Sequence, residues 1–279
     1  MSRYPETVGA RPLERDGLVY YEFPVFDAFA EKFRAGFSTR LGGVSQGGYA
    51  GLNLGVSRGD DPAAVAENFQ RFSRAAGFDP AAAVLSQQTH TLNIRFVTRA
   101  DQGKGFNRPR DYQDVDGLIT DTPDLPLLTN YADCVPLVFY APDRGLAGNA
   151  HAGWRGTVQG MARAMVASLA QLGADPGQLR VAIGPSAGPC CYEVDEATAA
   201  CFKQLDGPLG TPARPISGKP GKYLADLWLA NQAQLLTAGV PESQIGVAGL
   251  CTICHHDLFY SHRIQGENRG AMLAVAMLL

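Results

Sequence analysis

The sequence predicts an α+β or mixed α/β fold with mixed sheets and helices on the outside, and three observations predict it. Short apolar segments bounded by Gly, Pro and Asp recur along the chain, helices announce themselves at only three places, and several strand-like segments arrive consecutively from Asp116 to Ala150 before a helix does. A regular strand-helix alternation does not fit that order. With 279 residues, 46% hydrophobic and 18% charged, the chain is long enough for a large core, in one generous domain or two small ones.

In chain order the expected strands are LVYYEFPVF, LNIRFVT, DGLIT, LPLLTN, VPLVFYAP, GLAGNA, LRVAIGP, QIGVAGL and AMLAVAML. The first helix starts at Asp61-Pro62, an N-cap followed by an N1 proline. Val65, Phe69 and Phe72 repeat on one of its faces and Gly77 sits where a stop belongs. The second follows Thr157, with Val158, Met161, Met165, Leu169 and Leu172 at three-four spacing and Gly173 as its end. The third covers roughly Lys222 to Ala238, apolar at Leu224, Leu227, Trp228 and Leu235. Between the last two, DGPLGTPARPISGKPGK, Asp206 to Lys222, reads as a long surface excursion.

A net charge of -3 and a pI near 6.0, without any block of like charges, argue against a nucleic-acid stripe or a polybasic membrane patch and favour a small ligand. The opening MSRYPETVGARPLERDG has no apolar core and reads neither as a secretory signal nor as an anchor, and AMLAVAMLL is too short to span a bilayer. Cytoplasmic residence is the expectation. The six cysteines then read as thiols or ligands rather than as a disulfide framework.

Three phrases place a borderline-soft ligand next to an expected strand end: SQQTH with His90, NYADCVP with Cys134 and NAHAGWRG with His151. Two imidazoles and one thiolate suit Zn²⁺ and leave the fourth tetrahedral position for water or substrate. A buried small cysteine and hydrogen-bonded core histidines are the plainer reading of the same residues. Asp133, beside Cys134, is the candidate carboxylate to orient a ligand imidazole.

Elsewhere, CTICHHD matches the C-x-x-C-H pattern of haem attachment, which does not suit a chain without an export signal. Cys251, Cys254, His255 and His256 could form a second metal site, but all four would have to converge from one short segment. In GPSAGPCCYEVD, a tight turn entering a helix, Cys190 and Cys191 read as an unreactive buried pair, since neighbours in sequence are poorly placed to bond to each other. The glycine-rich GFSTRLGGVSQGGYAGLNLG fits no Walker A or dinucleotide fingerprint, yet Arg40 at its base could hold a phosphate.

Taken together, FSTRLGGVSQGGYAGLNLG, QTH, TNYADCVPLVFY, NAHAGWRGT, GPCCYEV, ADLWLANQAQLLTAGV and FYSHR resemble the polyphenol oxidase or laccase-domain family, also called the peptidoglycan editing factor family and regarded as purine nucleoside phosphorylases. The match runs essentially from Phe37 to Leu279, within a single domain of residues 1–279 whose first 36 residues add little. The resemblance implies zinc on His90, Cys134 and His151, and an α+β sandwich of mixed sheets wrapped by helices, related to cysteine-hydrolase-like toxin domains. It also implies phosphorolysis of adenosine and inosine to free base and ribose 1-phosphate, with some 5'-methylthioadenosine cleavage and adenosine deamination.

On this reading Cys134, His151 and Asp133 are the catalytic group, and Arg40, Asn53, Arg155 and Arg263 hold substrate or phosphate. The family usually closes with S-x-R-R-[DE]-G…T-G-R, whereas SHRIQGENRGAML has Ile264 for the second arginine and reverses Gly-Arg to Arg269-Gly270. Arg263 is therefore kept and Arg269 set aside. Expected partners are purine nucleosides and phosphate, with no nucleic acid and no membrane, for a monomer or homodimer. Three rivals are a copper polyphenol oxidase, short of imidazoles here, a Cys134-dependent hydrolase acting on peptidoglycan precursors, and a non-catalytic module that binds inosine without turning it over.

Overall fold

The computed structural model describes residues 4–205 and 209–279. Its strands are β1 (Arg11–Arg15), β2 (Leu18–Glu22), β3 (Phe33–Ser38), β4 (Val84–Leu85), β5 (Ile94–Phe96), β6 (Gly117–Thr120), β7 (Leu127–Tyr131), β8 (Val135–Ala141), β9 (Leu146–Ala152), β10 (Arg180–Ile183), β11 (Glu193–Asp195), β12 (Ala213–Pro215), β13 (Lys222–Ala225), β14 (Ile245–Val247) and β15 (Met272–Leu278). The helices are α1 (Pro62–Ala76), α2 (Trp154–Gln159), α3 (Met161–Gln171), α4 (Glu196–Phe202), α5 (Leu227–Thr237) and α6 (His262–Gln265). Among the described residues no helix is long and apolar enough to cross a membrane.

The strands form two six-stranded sheets, ordered β1-β2-β3-β15-β7-β4 and β14-β10-β8-β9-β6-β5, and a small sheet β11-β13-β12. Both large sheets are mixed: β4 runs parallel to β7, and β5 to β6 and β10 to β14, while the other neighbours are antiparallel. The α+β expectation with mixed sheets holds.

Alternation along the strands explains the layering. On β15, Met272, Ala274, Ala276 and Leu278 join the core between the sheets, and Leu273, Val275 and Met277 join the core under α1 with Phe69 and Phe72. On β8, Val138 and Tyr140 face the inter-sheet core, whereas Leu137 and Phe139 pack with Met161, Met165, Leu169 and Leu235 of α3 and α5. Two sheets are thus sandwiched between α1 on one side and α2, α3 and α5 on the other.

The small residues of β9 let this happen. A Cβ at Gly148 would stand 2.8 Å from the Met165 methyl and 3.2 Å from Phe139 Cβ, so α3 can lie this close only over glycine. On the opposite face, Asn149 is fully buried and reaches across the sandwich. Its Nδ2 donates to the carbonyls of Leu127 (2.9 Å) and Ala274 (3.1 Å), and its Oδ1 accepts from the Thr129 hydroxyl at 2.8 Å.

Three expectations need correction. Gly160, at φ 101°, ends α2 and starts α3, so the second helical stripe is two helices beginning at Trp154, and Leu172 stands 43% exposed beyond the end. Lys222–Ala225 is strand, paired with β11 and β12, and Asp226 caps α5 by accepting the Leu229 N–H. The Pro/Gly-rich stretch accordingly contains β12; Asp206–Pro208 lie outside the described residues. By contrast, α1 begins and ends as expected, with Asp61 accepting from Ala63 N–H and Gly77 left-handed at φ 71°.

Replacing Asn149 with Ala should lower unfolding stability by about 1–3 kcal/mol, the cost of unpairing buried polar groups, as measured by urea titration followed by tryptophan fluorescence. An unchanged midpoint would mean that the two sheets are not pinned through this side chain.

Candidate metal centre and active site

His151 lies on β9 opposite Pro136 of β8, 4% exposed on the inter-sheet side. Cys134 occupies the tight turn between β7 and β8, where Asp133 takes a positive φ of 80°. His90 lies on a loop before β5, itself at φ 65°, a conformation few non-glycine residues adopt without support. That support is Asp116. Its fully buried carboxylate accepts the N–H groups of Thr89 (3.1 Å), His90 (3.1 Å) and Thr91 (2.8 Å) and the Thr91 hydroxyl (3.0 Å), and its Oδ1 lies 2.8 Å from Nδ1 of His151.

One carboxylate therefore fixes both imidazole-bearing segments. Bonded through Nδ1, His151 keeps Nε2 for another partner. The ligand atoms of His90, Cys134 and His151 lie within 4.8 Å of one another, close enough to share one ion. Space has been kept for it. A Cβ at Gly153 would come 2.5 Å from Nδ1 of His90 and 3.1 Å from the Cys134 sulfur, so any side chain there would crowd the ligands. The donor set and this clearance fit a metal with three protein ligands.

Electrostatics agree. Burial alone would raise the pKa of Asp116, but its hydrogen bond and charge interaction with His151 and the N–H groups of Thr91 and Thr89 hold it below the usual carboxylate range. Burial likewise disfavours a charged His151, yet Cys134 and Asp116 outweigh it and hold that imidazole up at about 9. A metal entering the site must displace this proton. Burial and the charge of His151 push His90 the other way, below its ordinary value.

Two cavities, of about 450 and 370 Å³, meet at the triad: His90, Cys134, Ala132, Arg58 and Arg269 line both. Each falls in the size range of small-molecule sites. The larger is also lined by Trp154, Arg155, Tyr192 and Arg263; the smaller receives His151. Arg155 lies 4.5 Å over the Trp154 ring and Arg263 lies 5.0 Å over Tyr192, with one Arg263 nitrogen donating to the Glu193 carbonyl at 2.7 Å.

Other expected site residues are placed elsewhere or differently. Arg40 donates to the carbonyls of His256 (3.0 Å) and Ala50 (3.2 Å), stacks 4.6 Å over Tyr260, and lines neither cavity. Asn53 is wholly buried, donating to Asp60 and accepting from Gly55 and Ala271 N–H groups; it latches the glycine-rich loop. Asp133 does not orient an imidazole. Its carboxylate accepts from the hydroxyls of Thr252 (2.6 Å) and Ser261 (3.0 Å) and from Arg263 N–H (2.7 Å), tying the Cys134 turn to the segment that carries Arg263.

Sequence reasoning missed Asp116, Arg58 and Tyr192 and set aside Arg269, which is 6% exposed at the junction of the cavities with its Nε unpaired. Burial lowers the Arg269 pKa to about 10. Tyr192 lay within a quoted motif, GPCCYEV, whereas nothing near Arg58 signals a site. Cys190 and Cys191 are not a buried pair either: Cys190 is exposed and Cys191 only partly covered.

A family profile described as multi-copper polyphenol oxidoreductase laccase matches residues 34–279. The chain belongs to this family. A member from Geobacillus stearothermophilus, the purine nucleoside phosphorylase YlmD, is 42% identical over 248 residues, 86% of this chain and 88% of that protein. The crystal structure of YlmD from the same organism superimposes with a TM-score of 0.86 at 39% identity, covering 95% of this chain and 97% of that one. An adenosine deaminase from an unknown prokaryotic organism is 32% identical over 238 residues, 84% of this chain and 90% of its own length.

Replacing Asp116 with Asn should weaken metal binding about 10- to 100-fold in a chelator competition, as losses of ligand-orienting carboxylates do. Undiminished affinity would remove Asp116 from the role given to it here.

Proposed function

We propose that the chain is a cytoplasmic purine nucleoside phosphorylase of one domain, a monomer or homodimer, that cleaves adenosine and inosine with phosphate at a zinc centre on His90, Cys134 and His151. The observation that carries this reading is the wall of four arginines, Arg58, Arg155, Arg263 and Arg269, around the cavity that holds His90 and Cys134. Set against the two carboxylates in the same lining, Asp133 and Glu267, four arginines leave a surplus of positive charge that suits an anionic second substrate. The names of the relatives, phosphorylase and adenosine deaminase, support the same substrate class.

Phosphorolysis needs phosphate held beneath C1' and negative charge drawn off the departing purine. Arg155 and Arg263 sit over the rings of Trp154 and Tyr192, contacts that restrain both guanidinium groups before substrate arrives. Arg269, buried and with an unpaired Nε, loses little further hydration on meeting an oxyanion. His90, Cys134 and His151 would hold a zinc ion, which would supply Lewis acidity for the departing purine and for deamination. Side activities toward 5'-methylthioadenosine and adenosine deamination belong to the same proposal. Copper oxidase chemistry is the weaker assignment, because a multicopper centre needs more imidazoles than the two that meet here.

One observation favours a second reading. Cys134, His151 and Asp116 follow the order of a nucleophile, a base and an orienting carboxylate, as a metal-free cysteine hydrolase of peptidoglycan precursors requires.

Incubation with adenosine should release adenine only when phosphate is present, and Cys134→Ala should abolish that release, both read by chromatography. Phosphate-independent hydrolysis blocked by thiol alkylation and untouched by chelation would replace the phosphorylase with the hydrolase. Arg269→Gln should raise the phosphate KM about 10- to 100-fold, the loss of one charged hydrogen bond. Arg40→Ala should leave that KM unchanged and lower the melting temperature, and equal KM effects would place phosphate somewhere other than the arginine wall.

A further inference from the structure

Outside the His90-Cys134-His151 centre, four sulfurs converge. Cys190 and Cys191, in the loop before β11, meet Cys251 and Cys254, in the segment after β14, with all four Sγ atoms within 4.8 Å of one another. Cys254 Sγ stands 3.4 Å from both Cys190 Sγ and Cys191 Sγ, and the four thiols are free. Zinc-sulfur bonds of about 2.3 Å in a tetrahedron set neighbouring sulfurs about 3.8 Å apart, within this range. A polynuclear iron-sulfur cluster, with several irons between its thiolates, would hold them farther apart.

Backbone donors converge on the sulfur at the base of the cluster. Gly188 N–H (3.2 Å) and Cys254 N–H (3.5 Å) both point to Cys251 Sγ, the second closing the Cys-Thr-Ile-Cys turn on its own first sulfur. The two segments are also zipped together, Ser186 N–H to the Leu250 carbonyl and Thr252 N–H to the Ser186 carbonyl, and bedded on Trp228, whose ring leaves no room for a Cβ at Gly188. Cys251 is buried at the base of the cluster, while Cys190 and Cys254 are exposed and give an ion its way in.

We propose that Cys190, Cys191, Cys251 and Cys254 bind one tetrahedral zinc ion, a second and structural metal centre distinct from His90-Cys134-His151. Four thiolates leave no open position, so this ion takes no substrate. It clips together two segments that each reach the active site. Cys191 precedes Tyr192 in the cavity wall, and Thr252, between Cys251 and Cys254, donates to Asp133 next to Cys134. Thiol protons leave to solvent as the ion enters.

Metal analysis of the intact chain, purified without chelators and reconstituted with Zn²⁺ alone, tests this. Two zinc ions per chain are expected in the wild type and one each in Cys134→Ala and Cys254→Ser. Because Cys254→Ser could fail to fold, the second measurement leaves the cluster whole: Cys134→Ala loaded with Co²⁺ should show the visible spectrum of a tetrahedral tetrathiolate complex. A wild type with a single zinc that Cys134→Ala removes would overturn the proposal. So would iron in place of zinc, or a Cys190-Cys254 or Cys191-Cys254 disulfide found by mass spectrometry in freshly purified protein. None of these outcomes depends on phosphorolysis, so the two assignments stand or fall separately.

Discussion

Everything at the centre of this molecule depends on one buried carboxylate. Asp116 accepts from three consecutive N–H groups around His90 and faces the ring of His151, so it sets the shape of a loop and the orientation of an imidazole together. A fully buried charge is tolerated only when its partners are this complete. The left-handed conformation of His90 is a consequence of that demand, and the neighbouring clearance at Gly153 keeps the ligands within reach of a common ion.

Around this centre the fold divides its labour by face. Small residues on β9 bring α3 close on one side, while Asn149 and His151, two positions apart on the other, link the sheets and build the site. Asp133 plays the corresponding part at the rim. By binding Thr252, Ser261 and the backbone of Arg263 it makes the Cys134 turn and the arginine-bearing segment a single unit. Geometry of ligand and geometry of cavity wall are therefore coupled through two carboxylates of different kinds.

Much of this was legible in the sequence. Apolar runs flanked by Gly, Pro and Asp marked the core strands because each is buried on both faces, and Asp61, Pro62 and Gly77 marked α1 because cap chemistry is local. The residues Lys222 to Ala225 were misread since their pairing with β11 and β12 is tertiary, and Gly160 was passed over inside an otherwise continuous stripe. His90, Cys134 and His151 could be named from motif resemblance. Asp116 could not, because the imidazole it faces is 35 positions away, and neither could the pairing of Cys190 with Cys254 across 64. Arg269 was discounted on the order of two letters, although its placement follows from the strand it precedes.

The position of β15 carries a further consequence, for the route by which the protein folds. This strand lies in the middle of its sheet, between β3 and β7, and its Leu273 N–H donates to the Ser38 hydroxyl across 235 positions. Until residues so distant have met, β3 and β7 each offer a bare apolar edge to any other strand nearby. Sheet closure and the burial of Asn149 against the Ala274 carbonyl both wait on that meeting. The period before them is when the chain is most exposed to aggregation and has most need of chaperones.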